Sequence, residues 1–163
     1  MKKQQNNFAY IDGSNLYKGI SDLGWHLDYR KFRIWLKEKY NIEKAIIFLG
    51  LVPKYADLYN FLQNCGFELI FKPTVPDGDG KLKGNCDAEL VLQTVCDFYE
   101  SKFDNAIVVS GDGDFACLVK FLQEKRKLEF ILSPNHKKCS ILLKRAGTRI
   151  AFLEEFRSFL SVK

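Results

Sequence analysis

Short apolar runs alternate along this chain with segments whose apolar residues recur every three or four positions. Residues 8–11 (FAYI) form a compact apolar run that stops at Asp12, with Gly13 and Ser14 behind it, as a buried strand does. Residues 15–21 follow as a short helix closed near Gly24. Asp28 is placed to cap a helix over 29–40, with Phe32, Leu36 and Trp35 on its inner face. Residues 45–52 (AIIFLGLV) are a second buried strand, and Pro53 opens a helix to about residue 64 with Leu58, Phe61 and Leu62 inward. Gly66 ends it, and 67–71 (FELIF) is a third strand.

The segment 72–86 (KPTVPDGDGKLKGNC) is the one long loop. Asn85 then suits the N-cap of a helix over 86–101 that buries Leu90, Val91, Thr94, Val95 and Phe98. Strand 105–109 (NAIVV), helix 115–125 (Leu118, Val119 and Leu122 inward), strand 128–132 (LEFIL), helix 140–146, strand 149–152 and helix 154–160 complete the pattern. There is no repeat and no linker, so the whole chain, 1–163, reads as one domain with its core at about 7–155. Strands alternating with amphipathic helices specify an α/β fold. The expected architecture is a three-layer sandwich around a mostly parallel sheet of five to six strands.

That architecture turns attention to the carboxyl ends of the strands, where such sheets bind ligands. The first strand ends at Asp12, the fourth at Ser110 followed by Gly111, Asp112, Gly113 and Asp114, and the fifth at Ser133. Asp87 adds a carboxylate in the first turn of a helix. If the first and fourth strands are neighbours, Asp12, Asp112 and Asp114 converge. Clustered carboxylates repel unless a cation sits among them, and Mg²⁺ favours such oxygen ligands. Gly111 and Gly113 would permit an unusual backbone path and the close approach of a phosphate. The cluster with a metal would suit phosphodiester hydrolysis. Taken singly, Asp87 and Asp112 also fit plain helix-terminus roles, and Asp12 a turn.

Composition adds a partner. Net charge is +5, but residues 1–116 carry 14 Lys/Arg and 16 Asp/Glu, whereas 117–163 carry 11 and 4. The carboxyl-terminal part is thus +7 and the rest −2. A basic end beside acidic motifs suits a polyanion, RNA or DNA, although a solvated basic face gives the same count. Lys137, Lys138, Lys144, Arg145 and Arg149 are candidate backbone contacts, and His136 in SPNHKK is either a phosphate contact or a surface histidine. Tyr17 and Trp25 flank the turn after Asp12 and would stack on bases if exposed. Five cysteines without a CxxC pair read as reduced thiols, which points to the cytoplasm. No apolar run is long enough to span a bilayer, so no membrane is expected. Phe152, Phe156 and Phe159 suit either a core or a partner surface, which leaves a homo-oligomer open. PDGDGK at 76–81 lacks the acidic residue that a calcium loop needs six positions after its glycine, since Cys86 stands there; it reads as a turn over the site, with Lys81 and Lys83 facing substrate. A receiver domain wants lysine just after its fifth strand, and a haloacid-type phosphatase wants DxD after its first. Here those places hold Ser133-Pro134 and DGSN.

Three stretches together, AYIDGSNLY at 9–17, KGNCDAELVLQ at 83–93 and VVSGDGDFACLV at 108–119, resemble the NYN domains (LabA-like) of the PIN-like nuclease superfamily. The resemblance implies a PIN-like fold and a Mg²⁺- or Mn²⁺-dependent ribonuclease acting on single-stranded or structured RNA. It makes Asp12, Asp87, Asp112 and Asp114 metal ligands or water-orienting groups, and Asn15 a residue that shapes the same site. Lys83 matches the lysine of the KG motif, a candidate phosphate contact, and Ser110 and Ser133 lie where they would bond a phosphate or an ordered water. A non-catalytic RNA- or nucleotide-binding regulatory module with the same fold is the alternative.

Overall fold

A computed structural model describes residues 3–80, 82–83 and 85–163, with residues 82 and 83 described by backbone alone. Strand β1 (Asn7–Asp12) leads through α1 (Gly13–Ser21) and α2 (Tyr29–Tyr40) to β2 (Ile42–Leu51). A 3₁₀ turn (Pro53–Tyr55) and α3 (Ala56–Asn64) then reach β3 (Glu68–Pro73). A small antiparallel pair, β4 (Val75–Pro76) and β5 (Leu82–Lys83), precedes α4 (Asp87–Tyr99). Next come β6 (Ala106–Val109), a 3₁₀ turn (Gly113–Phe115), α5 (Ala116–Glu124), β7 (Leu128–Ser133), α6 (Ile141–Arg145), β8 (Ile150–Phe152) and α7 (Arg157–Leu160).

The six main strands form one sheet in the order β3-β2-β1-β6-β7-β8, and every pairing in it is parallel. The expected α/β architecture therefore holds, with six strands. Alternation along β1 explains the layers. Ala9 and Ile11 join a core with Leu16, Ile20, Phe32, Leu36 and Leu160, contributed by α1, α2 and α7. Phe8 and Tyr10 join the opposite core with Leu90, Leu118 and Leu122 from α4 and α5. The chain winds outward from β1 to β3 with helices on one face, then returns to the centre and winds from β6 to β8 with helices on the other. Strand order thus reverses between β1 and β6, which leaves a crevice at their carboxyl ends.

Several local expectations change. The loop at 72–86 contains the antiparallel β4–β5 pair, and residues 77–80 of the PDGDGK stretch turn after β4: the Asp79 N–H donates to Asp77 Oδ1 (2.9 Å) and Gly80 has φ +78°. Helix α4 starts at Asp87, and Asn85 caps it from two residues back, its Oδ1 accepting from the Asp87 N–H at 2.7 Å. In α3 Leu58 and Phe61 are exposed and Tyr59 takes the inner position beside Leu62, because the Tyr59 hydroxyl accepts from Val52 N–H and donates to Gly50 O at the end of β2. Trp25 is core rather than a stacking platform, whereas Tyr17 is exposed. Phe156 packs on Trp35, Phe152 lies beside His136, and Phe159 is exposed. No helix among the described residues is long and apolar enough to cross a membrane.

Candidate functional site

The crevice between β1 and β6 is where the acidic residues meet. Asp12 is both the last residue of β1 and the N-cap of α1, with Oδ1 accepting from the Asn15 N–H at 3.2 Å. Its Oδ2 accepts from the Ser110 hydroxyl at 3.3 Å, and the Ser110 oxygen in turn accepts from the Asp112 N–H at 3.1 Å. Asn15 reaches across the same gap and its Oδ1 accepts from the Gly111 N–H at 2.9 Å. Asp112 caps the 3₁₀ turn, accepting from the Asp114 N–H at 2.9 Å. Each end of the β1–β6 pair is therefore tied to the other by a side chain, and both cap residues still present a carboxylate to the crevice.

Helix α4 brings the third acid. One carboxylate oxygen from each of Asp12, Asp87 and Asp112 lies within 4.8 Å of the other two. Among the described residues no lysine, arginine or histidine forms an ion pair with any of the three. Asp114 is exposed and stands outside this trio, close enough to Asp87 for its charge to act on it. Burial pushes the Asp12 carboxyl up to about 6, aided by the charges of Asp87 and Asp112 and opposed by the Asn15 and Ser110 hydrogen bonds. Burial also raises Asp87, with Asp112 and Asp114 adding to it and Asn85 opposing.

The donor set suits a hard divalent cation. Such a cation favours carboxylate oxygens, and the three offered here lie within 4.8 Å of one another. Three half-buried carboxylates with no ion-pair partner among the described residues are stabilised by a cation between them. Asp12, Asp87 and Asp112 would hold it.

Two adjoining clefts meet at Asp112, and one of them holds the whole trio. One, of about 360 Å³, is lined by Asn15, Lys18, Asp112, Ser133, Lys138 and Ser140 among others. Ser133 is fully buried and donates to Asn135 O at 3.4 Å, and Lys138 pairs with Asp22. The other, of about 790 Å³, runs from Asp12, Asp87 and Asp112 to Tyr17, Tyr29, Tyr55 and Tyr59.

Not every expected contact gathers here. His136 turns to Glu154, with Nδ1 at 2.8 Å from Oε1, and lines neither cleft. Lys137 is exposed next to it and also lines neither. Arg149 lies 4.5 Å above the Phe130 ring. Lys81 and the side chain of Lys83 fall outside the described residues. The glycines of the SGDGD stretch also differ from expectation. Neither Gly111 nor Gly113 has positive φ. A Cβ on Gly111 would come within 2.9 Å of Ser133 Oγ, and one on Gly113 within 2.4 Å of Ser140 Oγ. They are glycine so that protein can pack against them, not to open space for phosphate. Lys18 and Ser140 went unnoticed in the sequence. Lys18 was accessible to reasoning, since it stands one turn after Asn15 on the same helix face, whereas Ser140 reaches the site only through the fold.

No curated protein matches the chain. Among solved structures it is similar to a protein of unknown function from Vibrio parahaemolyticus, with TM-score 0.78 and 22% identity over 99% of each chain, a likeness of fold. A mutant T5 5′-exonuclease gives TM-score 0.45 and 14% identity, over 95% of this chain and 56% of that one, and nothing further is drawn from it. The NYN domain model matches residues 9–154, a span that holds all three acidic stretches and the strands that carry them: the chain belongs to the NYN domain family, a nuclease family.

Proposed function

We propose that the protein is a ribonuclease that hydrolyses RNA phosphodiester bonds with Mg²⁺ or Mn²⁺ held by Asp12, Asp87 and Asp112, and that it works among reduced thiols in the cytoplasm. The observation that carries the reading is the convergence of three carboxylates from β1, α4 and the turn after β6, none of them ion-paired to a protein cation among the described residues. When bound, such a cation acidifies water and offsets charge on the phosphoryl oxygens. The chain's own groups set the geometry. Ser110 and the Asn15 N–H fix the two oxygens of Asp12, and Asn15 fixes the backbone that carries Asp112. Asp114, exposed beside Asp87, is the fourth acid of the site and is suited to orient water. Lys18 and Lys138 stand along the polar cleft, where a neighbouring phosphate of the strand would lie. Ser133, buried in the wall, supports that cleft through Gly111, and Lys83 of the KG stretch remains a candidate phosphate contact. His136 and Lys137 would meet the strand only beyond the clefts.

Cleavage of end-labelled RNA by wild type and Asp112→Asn tests this. Wild type should cut only with Mg²⁺ or Mn²⁺, and the variant should lose at least about a thousandfold in rate, the scale of removing a group that organises transition-state charge. Equal cleavage by the variant would overturn the site. RNA binding with no cleavage under any metal would favour the regulatory-module alternative.

A further inference from the structure

The two clefts at the aspartates differ in chemistry. On the polar side the surface offers ammonium groups and hydroxyls, from Lys18, Lys138 and Ser140. On the other side it is aromatic: Tyr17 and Tyr55 are 65% and 46% exposed, with Leu58 beside them. These two rings line the same cleft as the carboxylate trio, which sets them apart from exposed rings elsewhere on the surface such as Tyr99 and Phe159. Asn15, Lys18 and Asp112 line both clefts, so the two adjoin at Asp112.

Both rings stand on firm supports. Tyr17 lies two residues after Asn15 in α1, so its distance from Asp12 is set by the helix. Tyr55 ends the 3₁₀ turn opened by Pro53, and its neighbour Lys54 sits with Nζ 5.1 Å from the ring centre. Neither tyrosine hydroxyl has a hydrogen-bond partner in the protein among the described residues. The volume, about 790 Å³, is in the range that encloses a ligand of nucleotide dimensions.

We infer that the aromatic cleft takes unpaired nucleobases of the strand whose phosphate lies at the aspartates, stacked on Tyr17 and Tyr55, which makes this site selective for single-stranded nucleic acid. The inference rests on the proposed nuclease site for the position of the phosphate. In a duplex both faces of each base are covered by its neighbours, so neither ring can be used; in a single strand a base is free to swing into the cleft. Stacking on a π-face is indifferent to the identity of the base, so the cleft selects strandedness rather than sequence.

The test is binding of short single-stranded RNA and DNA carrying one 2-aminopurine, with Ca²⁺ in place of Mg²⁺ to hold back cleavage. Stacking should quench the probe on binding, and the blunt duplex of the same sequence should bind at least about tenfold more weakly. Tyr17→Leu and Tyr55→Leu, both at exposed positions, should each weaken single-strand binding by roughly tenfold and relieve the quenching, while their melting curves match wild type. The RNA and DNA arms show whether the sugar is read as well. Unchanged quenching in both variants, or duplex bound as tightly as single strand, overturns the inference. The two proposals fail separately: intact metal-dependent cleavage with unaltered tyrosine variants removes the base cleft alone, whereas quenched, tyrosine-dependent binding without cleavage removes the nuclease alone.

Discussion

Replacing Asp12 by asparagine should make the metal-free protein more stable at neutral pH. Asp12 titrates near 6 in the fold instead of near 3.8, chiefly because burial disfavours its charge and then because Asp87 and Asp112 repel it. A carboxyl raised in the folded state gives its full benefit below the unfolded value, and the benefit drains away as pH climbs through the folded one. For wild type without metal, stability should therefore fall between about pH 4 and pH 6. A shift of about two units corresponds to about 3 kcal/mol. Asparagine caps a helix as well as aspartate does, so the contact with the Asn15 N–H survives. The amide nitrogen cannot accept from the Ser110 hydroxyl, and losing that bond costs about 1 kcal/mol. The net gain is about 2 kcal/mol, or about 4–8 °C in melting temperature for a chain of this size. Thermal melts in EDTA from pH 4 to 8 should show the variant above wild type at pH 7.5, with the curves converging at pH 4. Adding Mg²⁺ should raise wild type and leave the variant nearly unmoved. A variant less stable than wild type at pH 7.5 in EDTA, or one whose advantage does not shrink towards pH 4, would refute the reasoning.

Two further substitutions probe the frame. Tyr10→Phe removes the hydroxyl that donates to buried Asp97 Oδ2 at 2.7 Å, leaving Gln93 on the other oxygen, and should cost about 1–3 kcal/mol by urea unfolding; a loss under 0.5 kcal/mol would mean Asp97 finds another donor. Gly113→Ala puts a methyl 2.4 Å from Ser140 Oγ and 3.2 Å from Leu142 Cδ1, so the Ser140 hydroxyl that accepts from Leu142 N–H at the start of α6 must move, with an expected loss of about 1–3 kcal/mol. Unaltered stability there would show that the Ser140 side of the crevice yields freely.

Much of this was written locally. The period of apolar residues marks which segments are strands and helices, and Asp12 at the end of one buried strand and Asp112 three residues beyond another stand out as polar residues at strand ends. What the local pattern could not hold is strand order, which decides whether Asp12 and Asp112 are neighbours; it depends on which helices cover which face of the sheet. The misplaced side chains have a similar cause. Leu58 and Phe61 satisfy the helical period in α3, but Tyr59 wins the inner face through two hydrogen bonds to the end of β2. Trp25, which the sequence leaves open between core and stacking surface, is settled only by the fold, in a core shared with residues of α2 and α7. The glycines at 111 and 113 signal closeness in any reading, but only the fold says that the close partners are Ser133 and Ser140.

The contact between Ser110 and Asp12 joins residues 98 apart in sequence. Closing a loop of that length is entropically expensive, so β1–β6 pairing belongs with the slow, non-local events of folding. Until it occurs, the three acids are spread along an open chain and their repulsion is diluted by water. The electrostatic cost of the crevice therefore falls late, on a sheet whose two apolar faces already drive it shut. Kinetically, relieving that cost should act on the rate at which the finished molecule opens more than on the rate at which it forms.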